Sequence, residues 1–175
     1  KKNISVISYL LGNGRRDFET NNPLSHSQRG GLDAKVAVTS SLNLDLTINP
    51  DFSQVDVDEQ QTNLTTVNLR FPERRLFFLE NSDVFNDFGI PPMRPFFSRK
   101  IGLNDEGNTI PILYGARLSG NLNKNLRMSL MNTQTKSEEL PGNNYTSLAV
   151  RQRVFQRSII KGYFHNRQSM THEPL

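Results

Sequence analysis

The 175-residue sequence contains no cysteine. That excludes a disulfide framework and any thiolate-ligated zinc site. It fits either the cytoplasm or a bacterial envelope protein that does without disulfides. No apolar run approaches the roughly 18 residues of a transmembrane helix, which leaves open a crossing by strands, whose single-segment signal is weak. Apolar residues make up only 35% of the chain, low for a soluble globule with a large core. Helical periodicity is almost missing. The three histidines, His26, His165 and His172, lie far apart with no metal-ligand spacing, so no metal and no cofactor is expected. The net charge of +4 is mild and scattered. A nucleic-acid binder would cluster it on one face, so nucleic acid is not an expected partner. No signal peptide is visible. The chain opens Lys1-Lys2-Asn3 and runs into a strand pattern, so it is expected to be a piece of a longer protein.

What the sequence does have is alternation. In Leu42-Asn43-Leu44-Asp45-Leu46-Thr47-Ile48-Asn49, leucine and isoleucine take every second position and polar residues take the rest. This period of two marks a strand with one apolar and one wet face. The run from Leu32 to Thr39 alternates likewise, and Ser40-Ser41 between the two reads as a hairpin turn. The same grammar returns in 4–11, 112–119, 126–133, 145–152 and 158–165, predicting about seven strands. Much of the scattered Lys and Arg falls on alternating positions of these segments. Connections near 40, 122 and 155 are tight; those at 12–30, 49–111 and 134–143 are long. Short turns on one side and long loops on the other is the pattern of an outer-membrane barrel. On that reading Leu42, Leu44, Leu46 and Ile48 face lipid and Asn43, Asp45 and Thr47 face the lumen, where Thr47→Arg should be mild.

Residues 49–111 differ in kind. They hold six of the nine prolines and eight of the eleven phenylalanines. Loops this long are usually functional or disordered, and disordered segments are poor in aromatics. A folded insert that packs against something is therefore expected. Its most telling stretch is FPERRLFFLEN, residues 71–81. Lipid is a poor home for adjacent Arg74 and Arg75, and open water is a poor home for Phe71, Phe77 and Phe78. A polar barrel interior resolves the conflict, which makes the insert a plug or constriction.

Three stretches, INPDFSQV at 48–55, NLT at 63–65 leading into FPERRLFFLEN, and FFSRKIGL at 96–103, resemble an uncharacterised family of Gram-negative envelope proteins. In that family an N-terminal module similar to the family 9 carbohydrate-binding modules precedes a predicted outer-membrane β-barrel. The resemblance covers most of residues 30–165 in order and spacing. It implies part of a barrel domain, with the sugar-binding module and the remaining strands outside this chain. It does not imply that these residues bind sugar, and it supplies no catalytic residues.

The candidate ligand-binding or constriction residues are Arg70, Arg74, Arg75, Arg94 and Arg99, with Phe77 and Phe78 among them. Rings of charge set selectivity in pores, and aromatics can stack on sugars. The plainer reading, which is favoured, pairs the insert's arginines with carboxylates such as Asp33, Asp45, Glu73 and Glu80, since the arginine fork meets a carboxylate bidentately. Asp51, Asp56, Asp58 and Glu59 lack the glycine and spaced glutamate of a calcium loop and read as a solvated acidic stretch. Gly30-Gly31 reads as a strand start. No Ser/His/Asp constellation meets the geometric tests of a catalytic site, so no enzyme activity is expected.

The fold expected is all-β: an antiparallel up-and-down transmembrane β-barrel, present in part across residues 1–175, with the insert 49–111 between its third and fourth strands. The expected setting is the bacterial outer membrane, with lipid as one partner and an oligosaccharide or other small solute as another. The role would be solute passage or surface glycan handling. The alternative is a soluble periplasmic or secreted β-sandwich that acts as a binding module. The two differ in what covers Leu42, Leu44, Leu46 and Ile48: lipid in a barrel, a second sheet in a sandwich.

Overall fold

A computed structural model describes residues 3–15, 25–50, 73, 75–89, 95–103, 110–136 and 142–170. Seven strands form one antiparallel sheet in chain order. They are β1 (Ile4–Arg15), β2 (Ser25–Ala37), β3 (Leu42–Ile48), β4 (Ile112–Asn121), β5 (Leu126–Thr135), β6 (Gly142–Val154) and β7 (Ser158–Met170). Each pairs with its sequence neighbours only, the mark of an up-and-down meander. Among the described residues β1 and β7 do not pair, so the sheet is open there rather than closed into a barrel. Gly30 and Gly31 lie inside β2, not at its start. The ring of Tyr9, directly across the ladder from Gly31, lies over that glycine and donates a hydrogen bond to the Asn49 carbonyl at 3.0 Å.

The turns at one end of the sheet are short, at 38–41, 122–125 and 155–157. Asn123 Oδ1 accepts from the backbone N–H of Asn125 and Leu126 at 2.9 and 2.8 Å, which fixes the β4–β5 turn as a side chain mimicking a turn carbonyl. The connections at the opposite end are longer, and the one between β3 and β4 is the insert.

The two faces of the sheet differ sharply. The ladder puts Ile4, Val36, Leu44, Leu118, Leu130, Leu148 and Phe164 in one row, one from each strand. Met128 and Val150 flank the row on β5 and β6, and Leu46, Leu32 and Val6 flank it on β3, β2 and β1. This apolar band shifts along the strands as it crosses them. On β1 it extends to Leu10, whereas on β7 it has moved back to Ile160. Among the described residues most of this face is uncovered, with Ile48 54% exposed and Phe164 55%; Leu42, at the start of β3, is the exception and is buried. The other face carries every Asp, Lys and Arg with a described side chain in the seven strands, including Asp33, Lys35, Asp45, Arg117, Arg127 and Arg151. In every strand these are the odd-numbered residues.

The charged face is the covered one. Asp45, Thr47, Arg117, Ser119, Ser129, Thr133 and Ser147 are buried, and what buries them is the insert. Its described part has two single-turn helices, α1 (Leu76–Leu79) and α2 (Asp83–Asn86), and a 3₁₀ turn at Ser98–Lys100. Phe78, Val84, Phe85, Phe96 and Ile101 of the insert meet Ile112, Met131, Tyr145 and Ala149 of the sheet in one buried cluster. Ile112 reaches that side because the register shifts between Ile112 and Tyr114, a bulge that re-aims the side chain. Burial of each large apolar side chain contributes roughly 1.5–3 kcal/mol, enough to hold a segment with so little regular structure. The insert also comes very close to the sheet. A Cβ on Gly115 would lie 2.9 Å from the Phe77 ring, so the absence of a side chain at 115 makes room for Phe77.

Candidate functional site

The functional candidate is the junction of insert and wall. Arg117 is its centre. β4 aims it at the covered face, opposite Asp45 on β3. Its Nη2 and Nε donate to Asp45 Oδ2 at 2.7 and 3.2 Å, and Glu80 of the insert stands 3.7 Å away. Nη1 donates to the Phe77 carbonyl, and the guanidinium lies 5.2 Å from the centre of the Phe77 ring. Lys35 on β2 reaches the same carboxylates, 2.5 Å from Glu80 and 3.8 Å from Asp45. Asp33 accepts from the Thr47 hydroxyl at 2.5 Å. Thr47 is 2% exposed, so the expectation of a mild Thr47→Arg does not hold: the insert occupies the space an arginine would need.

Toward the tight-turn end the contacts are more open. Arg127 meets Asp83 through two bonds, of 2.7 and 3.0 Å. Asp87 lies 2.7 Å from Lys161 and 3.5 Å from Arg151. The hydrogen bond from Lys161, with the charges of Lys161 and Arg151, holds the Asp87 carboxyl below its ordinary pKa against the opposing effect of burial.

The candidate arginines of the insert are placed differently from one another. Arg75 is buried and spent on holding the insert together. It donates to Glu73 at 2.8 Å from both Nε and Nη2, to the Ile101 carbonyl at 2.6 Å and to the Ser98 carbonyl at 2.8 Å. It also lies 4.2 Å from the centre of the Phe78 ring. Burial pushes the Glu73 pKa up, but the hydrogen bonds and charge of Arg75, with the Ser98 hydroxyl, outweigh it and hold it below the ordinary value. Arg99 is buried in the 3₁₀ turn. Phe77 and Phe78 pack edge to face, 5.1 Å apart, Phe78 in the core and Phe77 at its margin. Arg70, Arg74 and Arg94, the acidic stretch 51–59 and His172 lie outside the described residues.

The structure thus brings together groups that the sequence pattern does not combine. That pattern pairs insert arginines with Asp33 and Asp45 of the wall and with Glu73 and Glu80 of the insert. Arg75 takes Glu73, as expected, within the insert itself. Across the junction the polarity is reversed: wall cations Lys35, Arg117, Arg127, Arg151 and Lys161 take insert carboxylates Glu80, Asp83 and Asp87.

A Ser–His contact also exists. Ser147 Oγ lies 2.8 Å from His165 Nδ1, and the Tyr163 ring stacks parallel to His165. Ser147 is fully buried, so no substrate carbonyl could approach its oxygen. No cluster of His, Asp or Glu able to hold a metal ion occurs among the described residues. Nor is any described helix long and apolar enough to cross a membrane, which does not bear on strands.

The model of a family described as a domain of unknown function (DUF5916) matches residues 5–158. The chain belongs to that family. The match runs from β1 to the first residue of β7, so the sheet and the insert are both features of this DUF5916 domain. Neither curated proteins nor solved structures gave a match.

Proposed function

We propose that this DUF5916 sheet is part of the wall of a transmembrane β-barrel in the bacterial outer membrane, with the insert seated in the lumen as a plug or constriction. The role is passage of a solute or handling of a surface glycan. One observation carries the reading: among the described residues the charged face is covered over β3 to β6, while the apolar face is bare except at Leu42. A soluble protein buries the apolar face because water penalises it. Here that face carries no Asp, Glu, Lys or Arg on any strand, the composition that hydrocarbon demands. The slant of the apolar band across the strands fits strands tilted to a membrane plane. In this reading further strands complete the barrel between β7 and β1.

The test is conductance. Full-length protein reconstituted in planar bilayers is compared with a variant in which residues 58–95 are replaced by a short Gly/Ser linker. The deletion should conduct more than the parent. A deletion that folds in bilayers and conducts no better would remove the plug from the account. Recovery of the full-length protein in the aqueous fraction without detergent would remove the barrel, and favour a β-sandwich whose second sheet covers Leu44, Leu46 and Ile48.

A further inference from the structure

Arg127, Arg151 and Lys161 are direct cross-strand partners on β5, β6 and β7. Their side chains leave the same face in register, one strand spacing of about 4.8 Å apart. Like charges directly opposite on a sheet destabilise it, so a row of three cations needs anions. Nothing on the wall supplies them: among the described side chains, the carboxylates of the strands are Asp33 and Asp45, on β2 and β3. The insert supplies them instead, with Asp83 and Asp87 at the two ends of α2. These pairs differ from the Arg117 pair in one decisive respect. Arg117 is 2% exposed, whereas Arg127, Arg151 and Lys161 are about a third to nearly half exposed. Water and solute can reach them. The Phe88 ring, next to Asp87, rests on Tyr163, 5.2 Å between centres, and residues 80–89 contain no lysine or arginine.

We infer that the row Arg127–Arg151–Lys161 is a binding site for a solute bearing two or more carboxylate or phosphate groups, and that Asp83 and Asp87 occupy it as an internal stand-in which the solute displaces. Two carboxylates reaching three cations about one strand apart is the pattern a short polyanion would repeat. The site lies at the tight-turn end of the wall, where the two carboxylate side chains can leave the row while Val84 and Phe85 keep α2 in the buried cluster. The inference rests on the lumen reading in one respect: that the bound anion is a solute on its way through.

The experiment is calorimetric titration of detergent-solubilised full-length protein with inorganic tripolyphosphate and with citrate, using maltohexaose as the uncharged control. The parent should bind both anions weakly. Asp83→Asn with Asp87→Asn should bind them about tenfold more tightly, because two partly exposed ion pairs no longer compete. Adding Arg151→Gln to that background should abolish the gain, and Lys161→Gln serves where the arginine variant fails to fold. Equal affinities in the parent and the double Asp→Asn variant, a gain that survives loss of either cation, or equal binding of maltohexaose would overturn the site. Detergent-free recovery of the same protein, scored separately, bears on the barrel and not on the site. Tight anion binding by a water-soluble protein would keep the site and remove only its place in a lumen.

Discussion

Replacing Asp45 by asparagine tests the Arg117 junction with the least change in shape. Arg117 is buried, and its charge is met by Asp45 at 2.7 Å, by Glu80 at 3.7 Å and by the Phe77 carbonyl. Asp45→Asn removes the nearest negative charge but leaves the guanidinium in place. Removing one partner of a buried pair costs about 3–5 kcal/mol, because the other is left uncompensated. Glu80 and the Phe77 carbonyl keep part of the compensation, which puts the loss at the lower end, about 3 kcal/mol. A second change then separates this cause from simple loss of packing. Arg117→Met added to Asp45→Asn removes the stranded charge and places an apolar side chain beside Met131, the cross-strand partner of Arg117, and under Phe77. The double variant should return to within about 1 kcal/mol of the parent. The assay is urea unfolding of the full-length protein in lipid vesicles, with the folded fraction read from gel mobility of unboiled samples. A loss under about 1 kcal/mol for Asp45→Asn, or a double variant as unstable as the sum of the singles, would refute the reasoning.

Three further outcomes are expected. Gly31→Ala should destabilise by roughly 1–3 kcal/mol in the same assay, as overpacking does, because its Cβ would lie 2.3 Å from the Tyr9 hydroxyl and 2.5 Å from the Asn49 carbonyl; adding Tyr9→Ala should not restore stability fully, since the Asn49 contact is backbone. Docking of α2 should weaken in acid: the Asp87 pKa is lowered in the folded protein, so its contribution is present above the ordinary carboxylate pKa and is lost as pH falls through the lowered one, which faster amide exchange at residues 83–87 would report. Gly115→Val should loosen the insert by driving Phe77 off the sheet, read as raised conductance with the strands still folded.

Period-two alternation made all seven strands legible, because a half-buried strand writes its two faces directly into the sequence. The ends were less so: β2 begins at Ser25 and β6 at Gly142, in stretches whose residues do not alternate. The insert announced itself by its phenylalanines. Its pairing was legible only in part: Arg75 takes Glu73 two residues away, as the sequence suggested, but the groups that reach the wall are the carboxylates Glu80, Asp83 and Asp87. Which charges meet across a junction depends on docking geometry, and nothing in the local pattern encodes it. The row of Arg127, Arg151 and Lys161 needed the register of three strands before it existed as a row. The strict assignment of charge to one face, by contrast, was present in the sequence. It becomes readable once the strand bounds show that every charged strand position shares one parity.

In the proposed arrangement the apolar face meets lipid and the charged face meets water and the insert. The sequence has no cysteine, so a nitroxide attached through Leu46→Cys, Leu130→Cys or Phe164→Cys, and through Arg153→Cys on the charged face, reports from a chosen position. The measurement is collision of each label with molecular oxygen, which concentrates in hydrocarbon, and with an aqueous nickel chelate, using the full-length protein in lipid vesicles. Oxygen-dominated collisions are expected at 46, 130 and 164 and nickel-dominated collisions at 153. Labels at 46 and 130 that are shielded from both agents, or that favour nickel, would contradict it.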